Sequence, residues 1–156
     1  MKVAVITISD RASRGEYEDL SGPEIEEEVR RRFTDAVVSR YIVPDEPQEI
    51  LAAFREAEGS DFILTTGGTG ISPRDITPEA TRLFIERELP GISESLRAQS
   101  CAETPAAMLS RGVAGLKGGT IVVNFPGSVR AVRLGMKVLG PVMEHALRMT
   151  RGERHD

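Results

Sequence analysis

The sequence predicts an α/β fold in three layers: a mainly parallel sheet with one antiparallel edge strand, and helices on both faces. Three patterns carry that expectation. Short β-branched runs alternate along the chain with segments whose apolar residues recur at helical spacing, the order expected of βαβ units. The runs are almost continuously apolar, as in strands covered on both faces. Late in the chain two such runs are joined through Gly118-Gly119, a hairpin pattern that adds an antiparallel strand.

Residues 2–9, KVAVITIS, form the first strand. Ser21-Gly22-Pro23-Glu24 then reads as a capping box with proline in the first turn, and Ile25, Val29 and Phe33 give the helix one apolar face. Residues 36–43 form a second strand, stopped by Pro44. Pro47 lies near the start of a helix with Ile50, Leu51, Phe54 and Ala57 on one side. Residues 61–65 are the third strand and 77–87 the third helix, with Thr77 before Pro78 as its expected cap. Leu89-Pro90-Gly91 breaks the chain before a short helix carrying Ile92 and Leu96. The strand Thr120–Asn124 closes the hairpin. A last helix then sets Val132, Met136, Leu139 and Met143 on one face, and Pro141 is expected to kink or divide it.

The 156 residues fit one domain, 1–156, without internal repeat or linker. Twenty-four acids against 20 bases leave a net charge of −4, which argues against non-specific nucleic-acid binding. The basic run Arg30-Arg31-Arg32 follows Glu26-Glu27-Glu28 and reads as a solvated helix face. One cysteine, Cys101, excludes an intrachain disulfide and fits a reducing cytoplasm; a buried apolar role suits it better than a nucleophilic one. No apolar run approaches the ~20 residues that span a bilayer, and the N-terminus leads straight into a strand rather than reading as a signal peptide. A cytoplasmic protein without membrane contact is expected. His145 falls on the last helix and His155 near the end, so neither reads as catalytic, and no cysteine–histidine cluster suggests zinc.

Parallel strands place their C-terminal ends on one rim, where open α/β sheets bind ligands. Every unusual stretch of this sequence falls there. Gly67-Gly68-Thr69-Gly70 offers backbone N–H groups to a phosphate or pterin, a reading favoured over a mere tight turn. It lacks the Lys-Ser/Thr of a P-loop and the third glycine of a dinucleotide fingerprint. Asp75, five residues on, would repel the same anion unless a divalent cation stood between them, and carboxylates are the usual anchors of Mg²⁺. Asp45 could serve likewise or could cap the helix near Pro47; spacing does not decide. Asp10 and Asp19 are further candidates in the long first loop. Asn124-Phe125-Pro126-Gly127-Ser128 either holds an anion or ring edge at a helix N-terminus or only shapes a turn, and Ser110-Arg111 carries the same ambiguity.

Taken in order, TISDRAS.G.YED.SGP, VPDE, LTTGGTGISPRDITPEA, PGI, MLSRGVAG and NFPGS closely resemble the molybdopterin adenylyltransferases of molybdenum cofactor synthesis, a family that includes the related domain of gephyrin. The resemblance runs from Val3 to about Leu147. It implies transfer of AMP from Mg-ATP to the terminal phosphate of molybdopterin, with release of pyrophosphate. It further implies Asp45 and Asp75 as the catalytic, Mg²⁺-associated carboxylates. Gly67, Gly68, Thr69, Gly70, Ser110, Asn124, Pro126 and Gly127 are then the contacts to pterin or its phosphate. A homotrimer and a hand-off to a separate metal-insertion protein follow from the same resemblance. The alternative it leaves open is a non-catalytic pterin-binding or scaffold module of the same fold.

Overall fold

The computed structural model describes residues 1–153. Its chain order is β1 (Lys2–Ile8), α1 (Asp10–Ser13), α2 (Ser21–Arg32), β2 (Val37–Val43), α3 (Pro47–Glu56), β3 (Phe62–Thr66), α4 (Thr77–Phe84), β4 (Arg87–Glu88), α5 (Pro90–Glu103), a 3₁₀ turn (Pro105–Leu109), β5 (Ala114–Lys117), β6 (Thr120–Phe125) and α6 (Val129–Thr150). The six strands form one sheet in the order β2-β1-β3-β6-β5-β4. β2, β1, β3 and β6 run parallel, with Val3 opposite both Val38 and Phe62, and Phe62 opposite Ile121.

Two apolar cores hold the three layers together. On one face Val3, Val5, Leu64 and Val123 pack with Ile25 and Val29 of α2 and with Met136, Leu139 and Met143 of α6. On the other, Ala4, Ile6, Ile63 and Val122 meet Ile50 and Phe54 of α3 and Phe84 of α4. Consecutive strand residues therefore feed opposite cores, which is why the runs are apolar throughout. Full burial of one such side chain stabilises the fold by about 1.5–3 kcal/mol. No helix among the described residues is long and apolar enough to cross a membrane.

Several expectations are refined. The one reversed strand, β5, is antiparallel to β6 as the hairpin predicted, but it is not the edge. β4 pairs outside it in an antiparallel ladder, so the third helix ends at Phe84 rather than near residue 87. Gly115 makes this possible, because a Cβ there would lie 2.6 Å from the Arg87 carbonyl oxygen. The capping box at Ser21 does not form. Asp19 caps instead, its Oδ1 accepting the Gly22 N–H at 3.0 Å. Thr77 is not a cap either; its hydroxyl donates to the Gly67 carbonyl at 2.9 Å. α5 is long, 14 residues, but buries only Ser93 and Leu96, so its length leaves little apolar periodicity to read. α6 runs continuously through Pro141. Cys101 is half-buried on α5 rather than in the core. The glutamate–arginine run of α2 is laced by ion pairs on its solvated face, Arg30 with Glu26 and Arg31 with Glu27. His145 lies on α6 as expected; His155 lies outside the described residues.

Candidate active site

The order β2-β1-β3 reverses direction at β1, so the crevice beyond Ile8 and Thr66 is a topological switch point, where α/β sheets bind ligands. The loop after β3 rises from this crevice as a wall. A cavity of about 250 Å³ with mixed polar and apolar walls lies on its β1 side and takes Thr7, Asp19, Asp45, Thr66, Gly68 and Asp75 into its lining. A larger cavity of about 510 Å³ lies on the other side, between that loop, the NFPGS turn and α5. Gly67, Gly68, Asp75 and Gly127 line both.

The wall is built so that its carbonyls face the protein. Gly67 and Gly68 stand at φ +99° and +66°, conformations that glycine adopts without strain. The Gly67 carbonyl accepts the Thr77 hydroxyl and the Gly68 carbonyl the Thr77 N–H. The Thr69 carbonyl accepts the Arg111 N–H at 2.8 Å, and the Gly70 carbonyl accepts Arg111 Nε at 2.8 Å. All four acceptors are thus occupied. Among the described residues, the N–H groups of Gly68, Thr69 and Gly70 have no protein acceptor, and successive free donors in a turn make an anion-binding concavity.

The carboxylates across from this turn are held separately. Asp45 and Asp10 exchange bonds: Asp45 Oδ2 accepts the Asp10 N–H at 2.8 Å, and Asp10 Oδ1 accepts the Asp45 N–H at 3.0 Å. Arg74 grips Asp10 with both Nε and Nη2 at 3.0 Å and reaches Glu46 at 2.8 Å. Its hydrogen bond holds the Asp10 carboxyl below the ordinary aspartate value. Asp45 goes the other way. Burial pushes its carboxyl up, the Asp10 N–H opposes this, and the charges of Asp10 and Asp75 add to the rise. The basic residue of the PRD motif is therefore spent on Asp10 and Glu46, while Asp45 and Asp75 share a cavity. Asp75 Oδ2 also accepts the Ser72 N–H at 2.9 Å, which fixes its loop. Mg²⁺ is commonly bound by one or two carboxylates plus substrate phosphates. A partly desolvated carboxylate and a second one on the same cavity, beside free N–H donors, fit that demand; among the described residues there is no denser cluster of metal-ligating side chains.

Residues 4–145 match the family described as a probable molybdopterin binding domain. The chain belongs to this family. A molybdopterin adenylyltransferase from Pyrococcus furiosus is 41% identical over 157 aligned positions, covering 96% of this chain and 91% of its own length. The molybdenum cofactor synthesis protein cinnamon of Drosophila melanogaster is 39% identical over 93% of this chain but only 25% of its own length. The chain spans between 22% and 50% of several longer curated relatives. The crystal structure of the molybdopterin biosynthesis enzyme MoaB from Thermus thermophilus superposes with a TM-score of 0.87 at 43% identity, over 97% of this chain and 96% of that one.

Within this fold the expected site residues separate into four groups. Asp45 belongs to the smaller cavity, and Asp75, Gly67, Gly68 and Gly127 to both. Thr69, Gly70, Ser110 and Pro126 line the larger one. Asn124 lies beneath, 3% exposed, on a narrow cleft of about 30 Å³. Its Nδ2 donates to the Thr65 and Thr81 hydroxyls and its Oδ1 accepts the Val113 N–H at 3.1 Å, so its amide ties three elements together. Asn124→Ala should strand the buried Val113 donor and lower stability by about 2 kcal/mol, read as a drop in thermal midpoint. Sequence reasoning missed the wall of the larger cavity formed by the end of α5 and the residue after it, including Ser100, Glu103 and Thr104, and the clamp formed by Arg111. The α5 residues carry no signal, and the only one that Arg111 carries is its place beside Ser110.

Proposed function

We propose that the chain is a molybdopterin adenylyltransferase of molybdenum cofactor synthesis. An oxygen of the molybdopterin phosphate attacks the α-phosphorus of ATP, the bond to the bridging oxygen of the β-phosphate breaks, and pyrophosphate leaves. The carrying observation is the wall after β3: the unpartnered N–H groups of Gly68, Thr69 and Gly70 face the larger cavity, while Gly67, Gly68 and Asp75 also line the smaller one that holds Asp45. Such a partition suits two substrates that must meet at one phosphorus. The larger, mainly apolar-walled cavity suits the pterin, with the N-terminus of α6 beside it favouring negative charge. The smaller cavity, with Asp45 and Asp75 in its lining, suits the nucleotide phosphates. Asp45 and Asp75 would hold Mg²⁺, which neutralises phosphate charge as it develops on the leaving group. No side-chain nucleophile is needed, because this chemistry rests on positioning and electrostatics.

The test incubates purified protein with molybdopterin, ATP and Mg²⁺ and measures pyrophosphate. Release that requires all three supports the enzyme. Tight pterin binding without release would leave only a binding or scaffold module of this fold. The reading also takes residues 1–156 as one domain, acting in the cytoplasm as a homotrimer that passes its product to a separate metal-insertion protein. The exposed apolar side chains Val37, Leu83 and Val142 are compatible with such an assembly; a monomer mass by light scattering at micromolar concentration would remove it.

A further inference from the structure

Arg111 grips the loop that divides the two cavities while lining neither of them. Its backbone N–H donates to the Thr69 carbonyl. Its guanidinium spreads over three acceptors: Nε on the Gly70 carbonyl at 2.8 Å, Nη2 on the Asp75 carbonyl at 2.6 Å, and Nη1 on the Glu79 carboxylate. One side chain thereby spans the central loop from the end of the glycine turn, through Asp75, to the first turn of α4. Only a rigid planar fork with five N–H groups can do this; an ammonium keeps the charge but not the geometry.

The strap that carries Arg111 is anchored in turn. Arg97 of α5 donates Nη1 to the Ser110 carbonyl at 3.3 Å and to the Gly112 carbonyl at 2.8 Å. α5 and Ser110 are themselves walls of the larger cavity. On the far side, the Asp75 carboxylate is oriented through its own loop, by the Ser72 N–H, and that loop's backbone is what Arg111 grips. A continuous line of donors therefore runs from α5, through residues 110–112, to the backbone of Asp75.

We propose that Arg111 is a positioning residue that couples occupancy of the larger cavity to the placement of Asp75. This rests on the adenylyltransferase reading for what Asp75 does, but not for the coupling itself. A ligand that presses α5 and Ser110 together orders the strap, the ordered strap holds the fork, and the fork holds Asp75 toward the smaller cavity. Coupling of this kind is reciprocal, so pterin and Mg-nucleotide strengthen one another's binding. Arg111 touches neither reacting phosphate in this scheme. It sets whether the first substrate prepares the site for the second.

The experiment compares wild type with Arg111→Met and Arg111→Lys by three measurements. The first is hydrogen exchange of the loop peptide covering residues 69–76. The second is molybdopterin binding followed by pterin fluorescence. The third is the Mg²⁺ concentration giving half-maximal pyrophosphate release. In Arg111→Met the loop should exchange about tenfold faster, as expected for loss of a charged hydrogen bond, with β1, β3 and β6 unchanged. Half-saturation by Mg²⁺ should rise about 10–100-fold, the usual effect of losing a group that orients a metal ligand. Molybdopterin should bind as before, yet no longer slow exchange in the loop. Arg111→Lys should behave like Arg111→Met. The proposal is overturned if loop exchange is unchanged in Arg111→Met, if lysine restores wild-type behaviour, or if exchange accelerates evenly through the strands. If wild type releases no pyrophosphate, the adenylyl-transfer reading falls while the exchange data still judge Arg111.

Discussion

Asp45→Asn is expected to give a protein that melts no lower than wild type near neutral pH and transfers AMP about 10²–10³-fold more slowly. The two halves of that result share one cause. Burial raises the Asp45 pKa, so the native state binds this proton more tightly than the unfolded chain. Its contribution to stability is therefore present at low pH and lost as pH rises through the native value. At neutral pH the ionised, half-desolvated carboxylate is a net cost that the Asp10 N–H offsets only in part. Asparagine keeps an oxygen to accept the Asp10 N–H but carries no charge, so the stability change should be within about 1 kcal/mol and in the stabilising direction. The gap between variant and wild type should close in acid, where wild-type Asp45 is protonated, and open as pH rises; melting curves at several pH values measure this. Asp75→Asn should show the same loss of turnover, because its loop bond to Ser72 also survives the change. Full Mg²⁺-dependent activity in either variant would mean that the carboxylates only shape their loops.

Gly67→Ala should be the most destabilising small substitution at the site. Two independent penalties apply. A left-handed conformation at φ +99° strains any residue with a Cβ, by about 1–3 kcal/mol. The added atom would also stand 2.3 Å from the Ile8 carbonyl oxygen, and the backbone of a residue paired with Val43 of β2 cannot step aside cheaply. Together a loss of about 2–5 kcal/mol is expected, which lowers the melting temperature by roughly 4–20 °C for a chain of this size. Gly68→Ala meets a side chain instead, the Thr77 hydroxyl at 2.3 Å, with Asp45 Oδ1 at 3.0 Å. It should damage Mg²⁺ dependence more than stability. Near wild-type melting of Gly67→Ala would show that the turn can relax away from this geometry.

The parallel strands and the gathering of the glycine turn, Asp45 and Asp75 on one rim could be read from the chain because they depend on local signals. Fully apolar runs report strands with two covered faces, and glycines beside a carboxylate report a turn with a charge problem. What escaped depends on partners distant in sequence. β4 is two charged residues, Arg87 and Glu88, and exists only because β5 offers it an edge. Asp19 takes the cap that Ser21 was expected to supply, a choice settled by the Thr7 hydroxyl donating to the same carboxylate at 2.7 Å. The motif carrying Asn124 pointed to the rim, but whether its amide faces a ligand or the β-sheet interior depends on Thr65 and Thr81, far away in the chain. Arg111 is the clearest case: the chain marks Ser110-Arg111 as an anion holder or a turn, and nothing local aims the guanidinium at two backbone carbonyls and a carboxylate.

The long helix α6 has a geometric consequence for anything joined to it. It leaves the rim at Val129 and runs 22 residues, about 33 Å at the helical rise, to Thr150. There Arg151 meets Asp61 just before β3, and Leu147 and Arg148 share a hollow with Met1 and Ala36. The helix thus delivers the polypeptide to the floor of the molecule, opposite the cavities. A tag, tether or fused neighbour attached beyond Thr150 would hang from that floor and leave the mouth of the site unobstructed. By the same distance, a neighbour tethered there could receive a product only through a long flexible reach around the subunit, or from another copy whose mouth happens to face it.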